Sequence, residues 1–219
     1  MIRAVLFDLD GTLWDRDRAF RALVDAQHRS FPELTTVPRE RFVSRVLELD
    51  DHGVGDKRAA YAQIVQEFGL SPGLGPLLLE NFTTTYASFF DPFPEALPTL
   101  RWLRDQSLKL GIITNGAIEA QESKIDGLGL APFMDTVLIS EREGIRKPDP
   151  AIFQRALTRL DVDASTAWFV GDHPDADIQG ASAAGLTAVW RKSWGKAIDA
   201  THTITALDEL IPLLTAAGV

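Results

Sequence analysis

The sequence predicts an α/β protein with a doubly wound parallel sheet and an inserted α-helical domain. Short continuous apolar runs, each ended by turn residues, are typical of buried parallel strands. Stretches with helical spacing separate these runs, and alternating strands and helices imply crossover connections with helices on both faces of the sheet. One long stretch after the first run has helical segments but no good strand candidate, which predicts the insertion.

The first strand is predicted at Ala4–Phe7, because this apolar run is ended by the turn-forming sequence Asp-Leu-Asp-Gly-Thr. The same pattern predicts strands at 108–114, 136–140, 167–171 and 186–190, and a weak sixth strand at 203–205. Helical spacing between and after them predicts helices at 96–106, 117–126, 151–160, 176–184 and 206–216.

The inserted domain is predicted at residues 15–90, and the sheet domain at residues 1–14 and 91–219. Helical segments fill the insertion at 16–30, 38–49, 57–68 and 75–89. The sequence Asp-Pro-Phe-Pro at 91–94 is predicted to be the return linker, since prolines disfavour helix continuation.

Composition narrows the classes of function. A hydrophobic content of 45% is too high for disorder, and the absence of cysteine excludes disulfides, thiolate metal sites and cysteine nucleophiles. A net charge of −9 argues against nucleic acid as a partner. The N-terminal apolar run is too short for a signal peptide, and no run approaches the roughly 20 residues of a membrane helix. We therefore expect a cytoplasmic protein without a membrane partner.

Polar residues follow several predicted strands, at the edge of a parallel sheet where ligands bind. They are Asp8 and Asp10 after the first strand, Thr114, Asn115 and Gly116 after the second, Lys147 before a helix, and Asp172 and Asp177 after the fourth. Each has an ordinary structural explanation: Asp-Gly is a common turn, threonine and asparagine cap helices, and a lysine before proline is usually solvated. Their joint occurrence in this order favours a functional site.

These residues resemble the four motifs of the haloacid dehalogenase superfamily of hydrolases. The Asp-x-Asp-Gly-Thr motif stands at residues 8–12, the hydroxyl motif at Thr114, the lysine motif at Lys147, and the Gly-Asp-x-x-x-x-Asp motif at residues 171–177. The resemblance implies a Rossmann-like core, and the helical insertion after the first motif matches the position of the family's cap domain.

The resemblance also implies roles for the residues. Asp8 would be the nucleophile that forms an aspartyl-phosphate, and Asp10 the general acid and base. Thr114, Asn115, Gly116 and Lys147 would bind the phosphoryl group. A catalytic Mg²⁺ would be held by Asp8, the main-chain carbonyl of Asp10, Asp172 and Asp177, since this ion prefers oxygen ligands.

Asp10 favours the phosphatase branch, because the dehalogenase branch characteristically lacks an aspartate at this position. The leading hypothesis is a Mg²⁺-dependent phosphatase acting on a small phosphorylated metabolite. A sugar phosphomutase of the same superfamily stays open, as does a non-catalytic phosphoryl-binding protein. The sequence does not distinguish a monomer from a homodimer.

Further residues carry weaker patterns. Trp14 and His52 are candidates for substrate contact, because Trp14 follows the first motif and His52 lies in a polar loop of the insertion. Arg191, Trp194 and Lys196 are predicted to lie in a surface loop after the fifth strand.

Overall fold

Six parallel β-strands form one sheet in the computed structural model, which describes residues 1–192 and 200–219. The strands are β1 Ala4–Phe7, β2 Lys109–Thr114, β3 Thr136–Ile139, β4 Ala167–Gly171, β5 Thr187–Arg191 and β6 His202–Ile204. Their order in the sheet is β3-β2-β1-β4-β5-β6, and every neighbouring pair is parallel. The predicted α/β fold with a doubly wound parallel sheet is confirmed.

The chain divides into two compact units. The first comprises Met1–Asp15 and Pro92–Val219 and contains the sheet, and the second comprises Arg16–Asp91. That the first is a catalytic core and the second a cap stays a prediction. The predicted loop residues Trp194 and Lys196 lie outside the described residues.

Most α-helices of the described residues overlap a predicted segment, whereas the short helix at Ser140–Glu143 was not predicted. The helices are α1 Arg16–Ser30, α2 Arg39–Asp50, α3 Lys57–Glu67, α4 Leu74–Thr85, α5 Ala96–Asp105, α6 Ile118–Gly127, α7 Ser140–Glu143, α8 Pro150–Leu160, α9 Gly180–Ala183 and α10 Leu210–Ala216. Within residues 1–192 and 200–219, none of the helices combines the length and apolar character needed to cross a bilayer.

One predicted helix differs in type, and the predicted location of Arg191 was wrong. The helix expected at 176–184 is a π-helical segment, Pro174–Gln179, followed by the short α9. Arg191 is not in a surface loop: it is the last residue of β5, is 5% exposed, and donates from Nη1 to the carbonyl oxygen of Gly11 at 2.9 Å. A charged side chain at the end of an apolar run looks like a loop residue until its buried acceptor is known.

Helix α8 shows how the sequence builds one face of the first unit. The Asp149 side chain accepts a hydrogen bond from the main-chain NH of Ala151 at 2.9 Å, and Pro150 occupies the first turn, where its missing NH costs nothing. The helix then presents a buried apolar stripe of Ile152, Phe153, Ala156, Leu157 and Leu160. These side chains share one core cluster with strand residues such as Leu6 and Phe169.

The second unit is built from helices α1 to α4. Helix α1 buries Phe20, Leu23 and Val24, as its helical spacing predicts. Its buried Gln27 donates to the carbonyl oxygen of Leu78 at 2.9 Å and accepts from the Tyr61 hydroxyl at 3.0 Å. The amide therefore links three helices without leaving a buried polar atom unpaired.

Candidate active site

The candidate site lies where the strand order of the sheet reverses. β1 lies between β2 and β4, so the chain leaves β1 for one half of the sheet and later returns through β4 to build the other half. Ligands of doubly wound folds bind at this point, beyond the carboxyl ends of the strands. Asp8 follows β1 directly and Asp172 follows β4 directly, so the topology brings these two carboxylates to the same edge.

Three buried carboxylates form an acidic cluster there. Asp8, Asp172 and Asp177 each offer one oxygen, and these oxygens all lie within 4.8 Å of one another. The three residues are 7%, 6% and 1% exposed. Such a set of hard oxygen donors fits a divalent cation of the Mg²⁺ type.

Lys147 places one positive charge in this cluster. Its Nζ lies 2.6 Å from Asp8 Oδ1 and 2.6 Å from Asp177 Oδ1, and the residue is 3% exposed. Asn115 holds the main chain of Lys147 through two hydrogen bonds of 3.0 Å, one in each direction. The side chain of Asn115, a predicted phosphate ligand, therefore binds the main chain of Lys147 in this structure.

The charges of the cluster do not balance. Burial raises the pKa of Asp8 well above its usual range, and the carboxylates of Asp177 and Asp172 raise it further against the opposing effect of Lys147. For Lys147, burial would lower the pKa, but Asp177 and Asp8 outweigh burial and raise it. Three carboxylates beside one lysine would need further positive charge to be ionised together. A bound divalent cation would provide it.

Thr114 is the last residue of β2, and Gly116 lies two residues beyond it. Thr114 is 1% exposed, and its Oγ1 lies 2.5 Å from the side-chain nitrogen of Gln121. The main-chain NH of Gly116 donates to Ser140 Oγ at 3.1 Å. A phosphoryl group bound by that NH would have to replace the serine, and the phosphate-binding roles of Thr114, Asn115 and Gly116 stay predictions.

The side chain of Asp10 binds a different set of partners from the acidic cluster. Trp14 Nε1 donates to Oδ1 at 3.1 Å, Gln121 Nε2 donates to Oδ2 at 3.0 Å, and Lys124 Nζ lies 2.8 Å from both oxygens. Sequence reasoning missed Gln121 and Lys124. Their spacing of three residues places them on one face of the helix, but nothing in the sequence indicates which partner that face meets.

The two candidates for substrate contact occupy different units. Trp14 is in the first unit, is fully buried and contacts Asp10. His52 is in the second unit, where its exposed side chain contacts Asp17 through Nδ1. Neither contact tests the prediction that these residues bind substrate.

Comparison with known proteins identifies the family. A family model described as haloacid dehalogenase-like hydrolase matches residues 2–185. The chain therefore belongs to the haloacid dehalogenase-like hydrolases, which confirms the resemblance and the prediction of a hydrolase.

The similar proteins include phosphatases and a 2-haloacid dehalogenase. A glyceraldehyde 3-phosphate phosphatase of Methanopyrus kandleri is 34% identical over 86% of this chain and 83% of its own length. Among solved structures, a haloacid dehalogenase-family phosphatase of Thermococcus onnurineus is 29% identical, with a TM-score of 0.68 over 97% of this chain and 98% of its own. A 2-haloacid dehalogenase of Pseudomonas syringae is 34% identical, with a TM-score of 0.63 over 100% of both chains.

Proposed function

We propose that this protein is a Mg²⁺-dependent phosphatase that hydrolyses a small phosphorylated metabolite through an aspartyl-phosphate on Asp8. The observation that carries the proposal is the buried nucleophile candidate Asp8, held 2.6 Å from the Lys147 ammonium beside two further carboxylates. Similarity to a phosphatase that acts on glyceraldehyde 3-phosphate supports the substrate class.

The proposed reaction has two steps on the residues of the first unit. An Asp8 oxygen attacks phosphorus, and the bond to the leaving alcohol breaks with its electrons on the alcohol oxygen, to which Asp10, protonated at the start of this step, gives its proton. Asp10 then takes a proton from a water molecule that attacks the phosphorus of the aspartyl-phosphate, which releases phosphate and restores Asp8. Lys147 stays charged throughout and offsets the negative charge beside Asp8.

Asp8, Asp172, Asp177 and the main-chain carbonyl of Asp10 would hold the metal ion. When bound, Mg²⁺ supplies positive charge that lets an anionic nucleophile meet an anionic phosphoryl group.

Asp10 favours phosphate esters over haloacids as substrates. A departing halide needs no proton, whereas a departing alkoxide does, so an acid two residues after the nucleophile serves phosphate ester cleavage. Because the chain is also similar to a 2-haloacid dehalogenase, carbon–halogen hydrolysis should be tested together with phosphate ester hydrolysis.

The test measures phosphate release by the purified full chain from p-nitrophenyl phosphate and glyceraldehyde 3-phosphate, with Mg²⁺ or with EDTA. We expect metal-dependent release that falls by at least about a thousandfold in Asp8→Asn. Asp175→Asn is the matched control: Asp175 is exposed and accepts a hydrogen bond from Gln179 at 2.7 Å, outside the acidic cluster. Unchanged release in Asp8→Asn, or halide release from 2-chloropropionate without phosphate release, would contradict the proposal.

A transfer assay separates the phosphatase from the phosphomutase alternative: in the proposed reaction the phosphoryl group goes to water and not to an added sugar phosphate. The cytoplasmic location and the exclusion of nucleic acid as a partner stay predictions.

A further inference from the structure

Two side chains on α6 bind the carboxylate of Asp10. Lys124 Nζ lies 2.8 Å from each carboxylate oxygen, and Gln121 Nε2 donates to Oδ2 at 3.0 Å. The two residues are three positions apart, so they project from the same face of the helix. Lys124 Nζ also donates to Gln121 Oε1 at 2.8 Å, so the two side chains form a hydrogen-bonded pair.

Gln121 connects this pair of side chains to the predicted phosphate site. The same Nε2 that binds Asp10 lies 2.5 Å from Thr114 Oγ1, so Asp10 and Thr114 share one donor nitrogen. The Gln121 side chain is almost fully buried and fits against Gly116, where an added Cβ would lie 2.8 Å from Gln121 Cδ. The position of Gln121 is therefore fixed by packing as well as by hydrogen bonds.

The carboxylate of Asp10 is held from both sides. Trp14 Nε1 donates to Oδ1 at 3.1 Å, and Lys124 Nζ lies 5.7 Å from the centre of the Trp14 ring. A carboxylate with donors on both oxygens has little rotational freedom. A reacting group that is already fixed loses less conformational entropy when the transition state forms.

We propose that Lys124 and Gln121 are positioning residues that hold the Asp10 side chain beside the predicted phosphate ligand Thr114, where Asp10, once protonated, serves the leaving-group oxygen. The inference rests on the proposed phosphatase function and extends it to two residues with no other assigned role.

The proposal predicts a dependence on the leaving group. The value of kcat/KM reports steps up to the first irreversible one, which includes departure of the alcohol. p-Nitrophenolate departs readily without a proton, whereas phenolate depends more on an acid. Loss of a residue that positions Asp10 should therefore impair cleavage of phenyl phosphate more than cleavage of p-nitrophenyl phosphate, whereas a merely structural defect would lower both by the same factor.

The experiment compares kcat/KM for both compounds, with Mg²⁺, in the wild type, Lys124→Met, Asp10→Asn and the double variant. We expect Lys124→Met to lose about tenfold more activity on phenyl phosphate than on p-nitrophenyl phosphate. If Lys124 acts through Asp10, the double variant should be no slower on phenyl phosphate than Asp10→Asn alone. Glu122→Gln is the matched control on the same helix, because Glu122 is exposed and pairs with Arg142.

Equal losses on both compounds, no loss, or additive losses in the double variant would overturn the inference while leaving the phosphatase in place. A wild-type protein that hydrolyses neither compound would overturn the proposed function and this inference together. Circular dichroism checks that each variant is folded, and Lys124→Gln replaces Lys124→Met if the latter is not.

Discussion

At the scale of single residues, two glycines allow the acidic cluster to form. Gly11 has a φ of +79°, and a Cβ there would overlap the carboxylate of Asp172. A Cβ at Gly171 would overlap the side chain of Asp177 in the same way. Both glycines belong to the sequence motifs. The structure explains why a residue without a side chain is needed there: a carboxylate occupies the space that a Cβ would fill.

Gly11→Ala should weaken Mg²⁺ binding about 10- to 100-fold, because the added methyl group displaces Asp172. Isothermal titration with MgCl₂ measures the affinity. Gly129→Ala is the matched control: Gly129 has a φ of +66°, similar backbone strain and no atom within 4 Å of an added Cβ. An affinity in Gly11→Ala as high as that of Gly129→Ala would contradict the prediction.

At the scale of elements, a buried ion cluster joins three helix ends of the second unit. Asp50 at the end of α2 is 2% exposed and pairs with Arg16 at the start of α1 and Lys57 at the start of α3. Burial disfavours the Asp50 carboxylate, but Arg16 and Lys57 outweigh burial and lower the pKa of Asp50. Burial likewise opposes the charge of Arg16, and Asp50 outweighs it and raises the pKa of Arg16.

Asp50→Asn should lower the free energy of unfolding of the second unit by about 3 kcal/mol, because it leaves two partly buried cations without their anion. Urea denaturation followed by circular dichroism, which reports on the helices of this unit, measures the change; tryptophan fluorescence reports only on the rest of the chain, since residues 16–91 contain no tryptophan. Glu67→Gln is the control, since it removes an ion pair to Arg45 that is exposed to solvent, and we expect little change there.

The same cluster predicts how stability depends on pH. Because the pKa of Asp50 is lower in the folded state, its stabilisation is complete above the ordinary carboxyl pKa of about 3.9 and is lost as the pH falls from there through the folded pKa. The wild type should therefore lose its stability advantage over Asp50→Asn on acidification. Parallel curves of stability against pH for the two proteins would contradict this assignment.

At the scale of the whole molecule, the sequence was sufficient for elements whose pattern is local. Ala4–Phe7 was predicted to the residue because a four-residue apolar run before Asp-Leu-Asp-Gly is too short to be a helix. Arg191, Gln121 and Lys124 were missed or misplaced because their roles depend on partners far away in the chain. Gln121 binds a carboxylate 111 positions earlier, and helical spacing carries no information about such a partner.

Metal binding should change the stability of the protein as a whole. Without a cation, Asp8, Asp172 and Asp177 repel one another, so Asp172→Asn should have a Tm in EDTA at least as high as the wild type. With MgCl₂, the Tm of the wild type should rise and that of Asp172→Asn should not, because a ligand that binds only the folded state stabilises it. Differential scanning calorimetry measures both, and an equal rise in the two proteins would place the ion elsewhere.

Direct detection of the intermediate can test whether Asp8 carries the phosphoryl group. In the Asp10→Asn variant with Mg²⁺ and p-nitrophenyl phosphate, the first step proceeds without an acid while hydrolysis of the aspartyl-phosphate is slowed. Acid quenching and peptide mass spectrometry should find one phosphoryl group on Asp8, and it should be released by hydroxylamine. A phosphoryl group on another residue, or turnover with Asp8 unmodified at every quench time, would contradict the account.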